Sequence, residues 1–198
     1  MLTEKAIEDI RQRMWPAYRD MIGLEPRPSP SKDLVRFLER LHPDAEAVLD
    51  LGAGYGLALA AFSLAGKRAY GVEKDPKTAA ISRKNLIQLG VRAVVHEGNY
   101  LEDAFWETAT FKDGTRPRDM DAFYCFAYHP FNAMDVFHAL AKRGRVREGA
   151  IVHLAWKPYS RELDREIEEA GFERLDFQEF WIRKRPLGSY IRSSSPRG

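Results

Sequence analysis

The sequence predicts an α/β protein built on a doubly wound, Rossmann-like sheet that is mainly parallel and preceded by helices. Three observations lead there. From Ala45 onward, short apolar runs alternate with segments of helical periodicity, which implies crossover units and a sheet covered on both faces. The first such run leads straight into a glycine-rich turn, VLDLGAGYG at 48–56. Near the end the alternation breaks, and two apolar runs meet across Arg185-Pro-Leu-Gly-Ser189, so one strand in the edge region runs antiparallel.

The elements follow in chain order. Residues 3–22 have the spacing of an amphipathic helix, with Thr3 as N-cap and Ile7, Ile10, Met14, Trp15, Tyr18 and Met21 on one stripe; Pro16 is expected to kink or split it. The prolines of GLEPRPSPSK force an extended segment, and a second helix runs from Lys32 to about Leu41. AVLDLG, RAYGVEKD and VRAVVHEGN are the first three strands. Between them lie a small-residue helix closed by Gly66 and a helix with Pro76 at its start and Gly90 as its C-cap. Phe105–Met120 follows as an irregular loop after an opening helical turn. MDAFYCFAY is an aromatic fourth strand and GAIVHLAW a fifth, with a helix after each; FERLDFQEFWIRK is a long sixth strand, and SYIRSS a short one after the turn.

At 198 residues the chain fits one domain with a proper core, and 44% hydrophobic and 30% charged residues are ordinary for a globular protein. A net charge of +2 gives no bulk attraction to nucleic acid or anionic membrane. The single cysteine, Cys125, excludes an intramolecular disulfide and fits a reducing compartment. No apolar run approaches the roughly 20 residues of a membrane-spanning helix, and the amino terminus lacks a secretory h-region. A cytoplasmic protein with no membrane partner is expected, and no cluster of metal ligands stands out.

The chemistry concentrates where strands end. Gly52 and Gly54 allow a tight strand-to-helix turn and close approach of a ligand to the backbone. A dinucleotide fingerprint would carry its third glycine at 57, but here that residue is Leu57 and the glycine falls one place early, at Gly56. Asp50, two residues before the first glycine, is unwelcome beside a pyrophosphate and suits a ligand that carries a sulfonium and an ammonium. Glu73, ending the second strand about 20 residues on, can accept from both hydroxyls of a ribose. In HEGNY (96–100) the side-chain carbonyl of Asn99 can accept from an adenine amino group, and Tyr100 offers a ring beside the base.

Together, D-x-G-x-G-x-G, an acid ending strand two and a polar residue after strand three resemble the class I S-adenosylmethionine-dependent methyltransferases, over roughly residues 45–185. The resemblance implies a seven-stranded sheet with an antiparallel seventh strand, and S-adenosylmethionine as cofactor. It implies that Gly52 and Gly54 line the methionine part, Glu73 takes the ribose and Asn99 faces the adenine, within a cofactor-binding set that also holds Asp50, Ala53, Gly56, Lys74, Tyr100 and Phe126. This family usually has Asp where Asn99 stands. The implied organisation is an N-terminal helical flank or lid (1–44), a methyltransferase domain (45–193) and a frayed tail (194–198). A narrower likeness joins PRPSPSKDLVRFLERL, GVEKD and GNYLED to small archaeal protein lysine methyltransferases, with Ser29 in place of that family's threonine.

Methyl transfer is governed by positioning and desolvation, and the acceptor is expected near FAYHPF, 126–131. Enzymes of the superfamily acting on planar amines often carry N-P-P-Y there; this chain has Tyr128-His129-Pro130-Phe131, without the asparagine. An aliphatic amine needs an aromatic, partly dry slot, for which Phe123, Tyr124, Phe126, Tyr128, Pro130, Phe131 and Trp156 are available. By alternation about half of the strand's rings must be ordinary core. Tyr128 and His129 are the candidate catalytic residues, His129 as a possible base. The basic clusters Lys142, Arg143, Arg145, Arg147 and Arg183, Lys184, Arg185 could instead track a phosphate backbone, or form solvated helix and strand ends. A methyltransferase of a protein amine is the favoured reading. An RNA, DNA or small-molecule methyltransferase comes second, and a non-catalytic nucleoside-binding module or an NAD-type oxidoreductase third.

Overall fold

The computed structural model describes residues 2–19, 29–126, 131–142, 145–155, 161–174 and 180–183. Helix α1 (Glu4–Arg19) starts at Thr3, whose Oγ1 accepts from Ala6 N–H at 3.2 Å. It runs through Pro16 as one helix, so the expected split does not occur; a proline removes one hydrogen-bond donor, and sixteen residues supply enough others to carry the helix on. Helix α2 (Ser31–Arg40) follows the proline-rich stretch. Ile7, Ile10 and Met14 of α1 and Leu34 and Phe37 of α2 are buried in one cluster with the first face of the sheet.

The alternation then proceeds as β1 (Ala47–Leu51), α3 (Leu57–Leu64), β2 (Arg68–Glu73), α4 (Pro76–Leu89), β3 (Ala93–Glu97) and α5 (Asp103–Thr108). After a 3-10 turn at Pro117–Asp119 come β4 (Ala122–Phe126), α6 (Phe131–Ala141), β5 (Ile151–Ala155), α7 (Arg161–Glu169), β6 (Phe172–Arg174) and β7 (Phe180–Arg183). One sheet of order β3-β2-β1-β4-β5-β7-β6 results. The first five strands run parallel to one another, and β7 is antiparallel to both β5 and β6. Strand order reverses between β1 and β4, where successive connections leave on opposite sides and open a crevice at the carboxyl ends.

The long sixth strand is not formed. Its sequence makes two strands, β6 and β7, paired antiparallel with Phe172 opposite Arg183 and Arg174 opposite Trp181. Alternation of period two reads the same in a continuous strand and in the arms of a hairpin, and 175–179 holds neither Gly nor Pro to mark a turn. The turn at 185–189 and SYIRSS lie outside the described residues, as does the expected tail.

Alternation along the strands separates two cores. Val48, Ala69, Val95 and Tyr124 face α1 to α4, while Leu49, Val72, Phe123 and Leu154 face α5 to α7. Every residue of β1 is buried, as a central parallel strand requires. Gly71 of β2 is where α3 comes closest: a Cβ there would stand 2.7 Å from Leu59 Cδ1 and 2.8 Å from Ala53 Cβ. Phe105, Trp106, Phe111 and Met120 of the expected loop are buried under the second face. At the entry to the sheet, Asp121 accepts from Glu46 N–H and Ala47 N–H at 2.7 Å each and pairs with Arg147. At the β3 edge, Arg83 Nε of α4 donates to Val95 O at 3.3 Å. Among the described residues no helix is long and apolar enough to cross a membrane.

Arg145, 6% exposed, ties the end of α6 to α5. It donates to Ala139 O at 2.8 Å, pairs with Asp103 and lies 5.4 Å from the Trp106 ring centroid. Removing a buried guanidinium leaves its acceptors without a donor, so Arg145→Ala should lower the unfolding free energy by about 2–3 kcal/mol in denaturant titration. A change within about 0.5 kcal/mol would reduce the contact to a surface feature.

Candidate active site

The crevice between β1 and β4 is lined first by the glycine turn. After Asp50, Gly52, Gly54 and Gly56 take φ of 89°, 52° and 91°, all in the left-handed region. Gly56 is also sterically fixed: a Cβ there would meet Ser82 Oγ of α4 at 2.6 Å. The N–H groups of Gly52 and Ala53 bond back to Val72 O at 3.0 and 2.9 Å, which clamps the turn onto the end of β2. Asn85 of α4 donates to Tyr55 O at 3.1 Å and holds the far side.

The clamp brings Glu73 under the turn. Its Oε2 accepts from Gly54 N–H at 2.9 Å and its Oε1 from Asp75 N–H at 3.0 Å. Each carboxylate oxygen keeps a further lone pair, so the group is held in a fixed plane with acceptor capacity left over. Asp75 is in turn the N-cap of α4, its carboxylate accepting from Thr78 N–H at 2.8 Å, with Pro76 at N1 and Gly90 closing the helix. Gly98 N–H donates to Glu73 O at 3.0 Å, which sets the turn after β3 beside the same carboxylate. Lys74 is exposed next to it.

Asp50 is 3% exposed. Burial, and then the like charge of Glu73, pushes its carboxyl far above the usual carboxylate range. No described cation pairs with Asp50 or Glu73. Directly across from Asp50 on β4 stands Tyr124, and across from Tyr124 on β5 stands His153; all three are buried, and Phe37 of α2 lies against the Tyr124 and His153 rings. The Tyr124 hydroxyl lies beside Ser29 without a hydrogen bond of ordinary geometry, and burial pushes it well above its usual range. Two acceptors short of positive partners, at the mouth of a crevice, are what a ligand carrying an ammonium and a sulfonium would satisfy.

The sequence-predicted residues divide accordingly. Asp50, Gly52, Ala53, Gly54, Gly56 and Glu73 gather at the carboxyl ends of β1 and β2, Phe126 ends β4 half-buried, and Asn99 lies in the turn after the edge strand β3, where it lines a cleft with His96, Gly98 and Phe105. Tyr100 turns inward: it packs against the second-face core, its hydroxyl meets the Cys125 thiol, and burial raises both groups far above their usual values. The aromatic slot is smaller than expected, because Phe123 and Tyr124 are fully buried on opposite faces of β4. Tyr128, His129, Pro130 and Trp156 lie outside the described residues, and of Phe131 only its place as first residue of α6 is described. The first basic cluster is engaged within the fold: Lys142 and Arg145 with Asp103, Arg147 with Asp121. Arg143, Lys184 and Arg185 lie outside the described residues. Among those described, no cluster of three or more His, Cys, Asp or Glu could hold a metal.

Asn85 and Ser82 escaped the sequence reading, although a signal was present, since Thr78, Ser82 and Asn85 put polar groups on the inward face of α4 at helical spacing.

The fold is one shared with solved S-adenosylmethionine-dependent methyltransferases, to which the chain is similar. Residues 32–109, from α2 to the loop after α5, match the family model of ribosomal protein L11 methyltransferase (PrmA). No curated protein matches the chain. Among solved structures it is similar to a T. thermophilus 16S rRNA N2 methyltransferase (RsmC) in complex with AdoMet and guanosine, at 24% identity and TM-score 0.59, over 82% of this chain and 44% of that one. The chain thus spans less than half of that protein. It is also similar to an O-methyltransferase from Bacillus cereus in complex with SAH (20%, TM-score 0.54, 75% and 64% covered). A third likeness is to an RNA methyltransferase from Salinibacter ruber with S-adenosyl-L-homocysteine (19%, TM-score 0.52, 81% and 96% covered). With 929 matching chains the fold is too widely shared to select an acceptor.

The raised Asp50 gives a test with a definite sign. Its protonated form favours the ligand-free fold, and that contribution is lost as pH rises through the folded-state value. Asp50→Asn should therefore raise the ligand-free melting temperature at pH 8 by about 3 °C relative to wild type, while abolishing the stabilisation that S-adenosylhomocysteine gives the wild type. A variant less stable than wild type at pH 8 and equally responsive to the nucleoside would refute the placement of Asp50.

Proposed function

We propose that the protein is an S-adenosylmethionine-dependent N-methyltransferase acting on a lysine-type amine of a protein, in a reducing, cytoplasmic setting. The observation that carries the methyltransferase reading is the Glu73 carboxylate fixed between Gly54 N–H and Asp75 N–H, next to a buried, cation-free Asp50. When bound, S-adenosylmethionine supplies an electrophilic methyl on a sulfonium, taken in line by the lone pair of a neutral amine and leaving a thioether. Glu73 would hold the two ribose hydroxyls, and Asp50 would balance the positive methionyl end. The glycine turn lets the methionyl part approach the backbone where a Cβ would intrude.

Support for a protein amine comes from two sides. The departure from N-P-P-Y at 128–131 removes the asparagine that would accept from a planar amine. The basic residues Lys142, Arg145 and Arg147 are occupied by carboxylates of the fold and do not offer a phosphate track. The acceptor would enter past Phe126 at the end of β4, with Tyr128, Phe131 and Trp156 as the aromatic candidates that the sequence offers. An attacking amine sheds its proton after transfer, to water or to His129.

Calorimetric titration with S-adenosylhomocysteine, with NAD in parallel, tests the cofactor. Micromolar binding of the former alone is expected, weakened at least about tenfold in Glu73→Ala, a loss in keeping with two hydrogen bonds to a charged group. Binding of NAD would return the protein to the oxidoreductases. Radiolabelled methyl transfer into protein and RNA fractions then tests the acceptor, and label in RNA alone would overturn the protein reading.

A further inference from the structure

Large apolar side chains scattered singly over a surface need no explanation, whereas a group of them does. Three are exposed among the described residues: Leu64, Ile87 and Leu101. Leu64 closes α3, and Ile87 lies in the last turn of α4. Both helices run back from the carboxyl ends of parallel strands, so both side chains stand at the amino edge of the sheet. Ser63 Oγ joins the two helix ends there, accepting from Arg92 N–H at 3.1 Å and donating to Arg92 O at 3.0 Å. Beside Leu64 lies a cleft of about 430 Å³, lined by Leu2, Leu38, Glu39, Leu64, Ala65 and Lys67. Leu2 and Leu38 are only partly buried against the first core, and Leu64 is 52% exposed. The same walls carry one charge of each sign. Glu39 is exposed and has no ion pair among the described residues. Lys67 donates one Nζ–H to Ala45 O at 2.7 Å and keeps two donors.

We infer that this cleft is the centre of an interface with a second copy of the chain, in which Leu64 of each copy enters the cleft of the other across a two-fold axis. In such a contact one patch meets itself, so whatever residue i of the first copy touches, residue i of the second touches too. A patch of a single sign would repel its own image. This one pairs Glu39 with Lys67 of the other copy, twice, and closes apolar walls around an apolar knob. An unrelated partner would have to bring both the knob and the matching charges, whereas a second copy already has them. The cleft lies at the amino edge of the sheet and the Asp50–Glu73 crevice at the carboxyl edge. Both crevices of the dimer therefore stay open, and the inference is independent of the methyl acceptor.

Sedimentation velocity on the full chain, from nanomolar to millimolar protein, tests this. Wild type should pass from monomer to dimer with a dissociation constant in the micromolar range, as suits a contact of modest area. Leu64→Glu should weaken association by about a hundredfold or more, because each substitution acts twice in a two-fold contact. Its melting temperature should stay within about 2 °C of the wild-type monomer, since the position is exposed. Glu39→Lys and Lys67→Glu should each lower self-association by about tenfold or more. Mixed together they should dimerise again, because the mixed contact restores both opposite-charge pairs; a general loss of stability would give no such rescue. Wild type that stays monomeric at millimolar concentration overturns the inference. So does a dimer that Leu64→Glu leaves intact, or association that continues beyond the dimer.

Discussion

Asp50 and Glu73 end adjacent parallel strands and carry like charges with no described cation between them. Fold alone would not choose that arrangement, because a buried carboxylate without a partner is costly. The surrounding structure accommodates it in different ways at the two positions. Glu73 is half-exposed and accepts from two backbone N–H groups. Asp50 receives none and responds by holding its proton. The glycine turn, the Val72 clamp and the α4 cap all serve to keep these two groups at fixed places on the rim of the crevice.

The N-terminal helices bear on the same centre from above. Phe37 of α2 lies against Phe62, Tyr124 and His153, with ring centroids 5.1, 5.2 and 5.7 Å away. The row Asp50, Tyr124, His153 crosses three strands, and Phe37 covers its two rings. Polar side chains there are sheltered from water by a segment contributed from outside the alternating βα pattern, which keeps the local dielectric low and electrostatic effects large.

Much of this was legible in the sequence, for identifiable reasons. Strand-helix alternation, the capping of α4 by Pro76 and Gly90 and the glycine turn are local signals, and each residue type there has one dominant physical use. Asp50 and Glu73 could be read because they stand at fixed offsets from that turn. The β6–β7 hairpin could not, since its two arms share a single alternation and neither Gly nor Pro separates them. The burial of Phe123 and Tyr124 depended on which strands flank β4, a long-range fact that no window of sequence carries. The inward turn of Tyr100 likewise follows from its contact with Cys125, 25 positions further along the chain.

The guanidinium of Arg83 against Val95 O has a meaning for how the molecule meets its own copies. β3 is the outer strand on its side of the sheet, and outer strands are templates on which further strands can add. By occupying a main-chain carbonyl near the middle of that strand, α4 plants a charged plug in the template. A neighbouring chain that tried to extend the sheet there would have to evict an arginine and leave its charge without that acceptor. Growth of the sheet by strand addition is therefore disfavoured at this border, a safeguard against aggregation supplied by a single side chain.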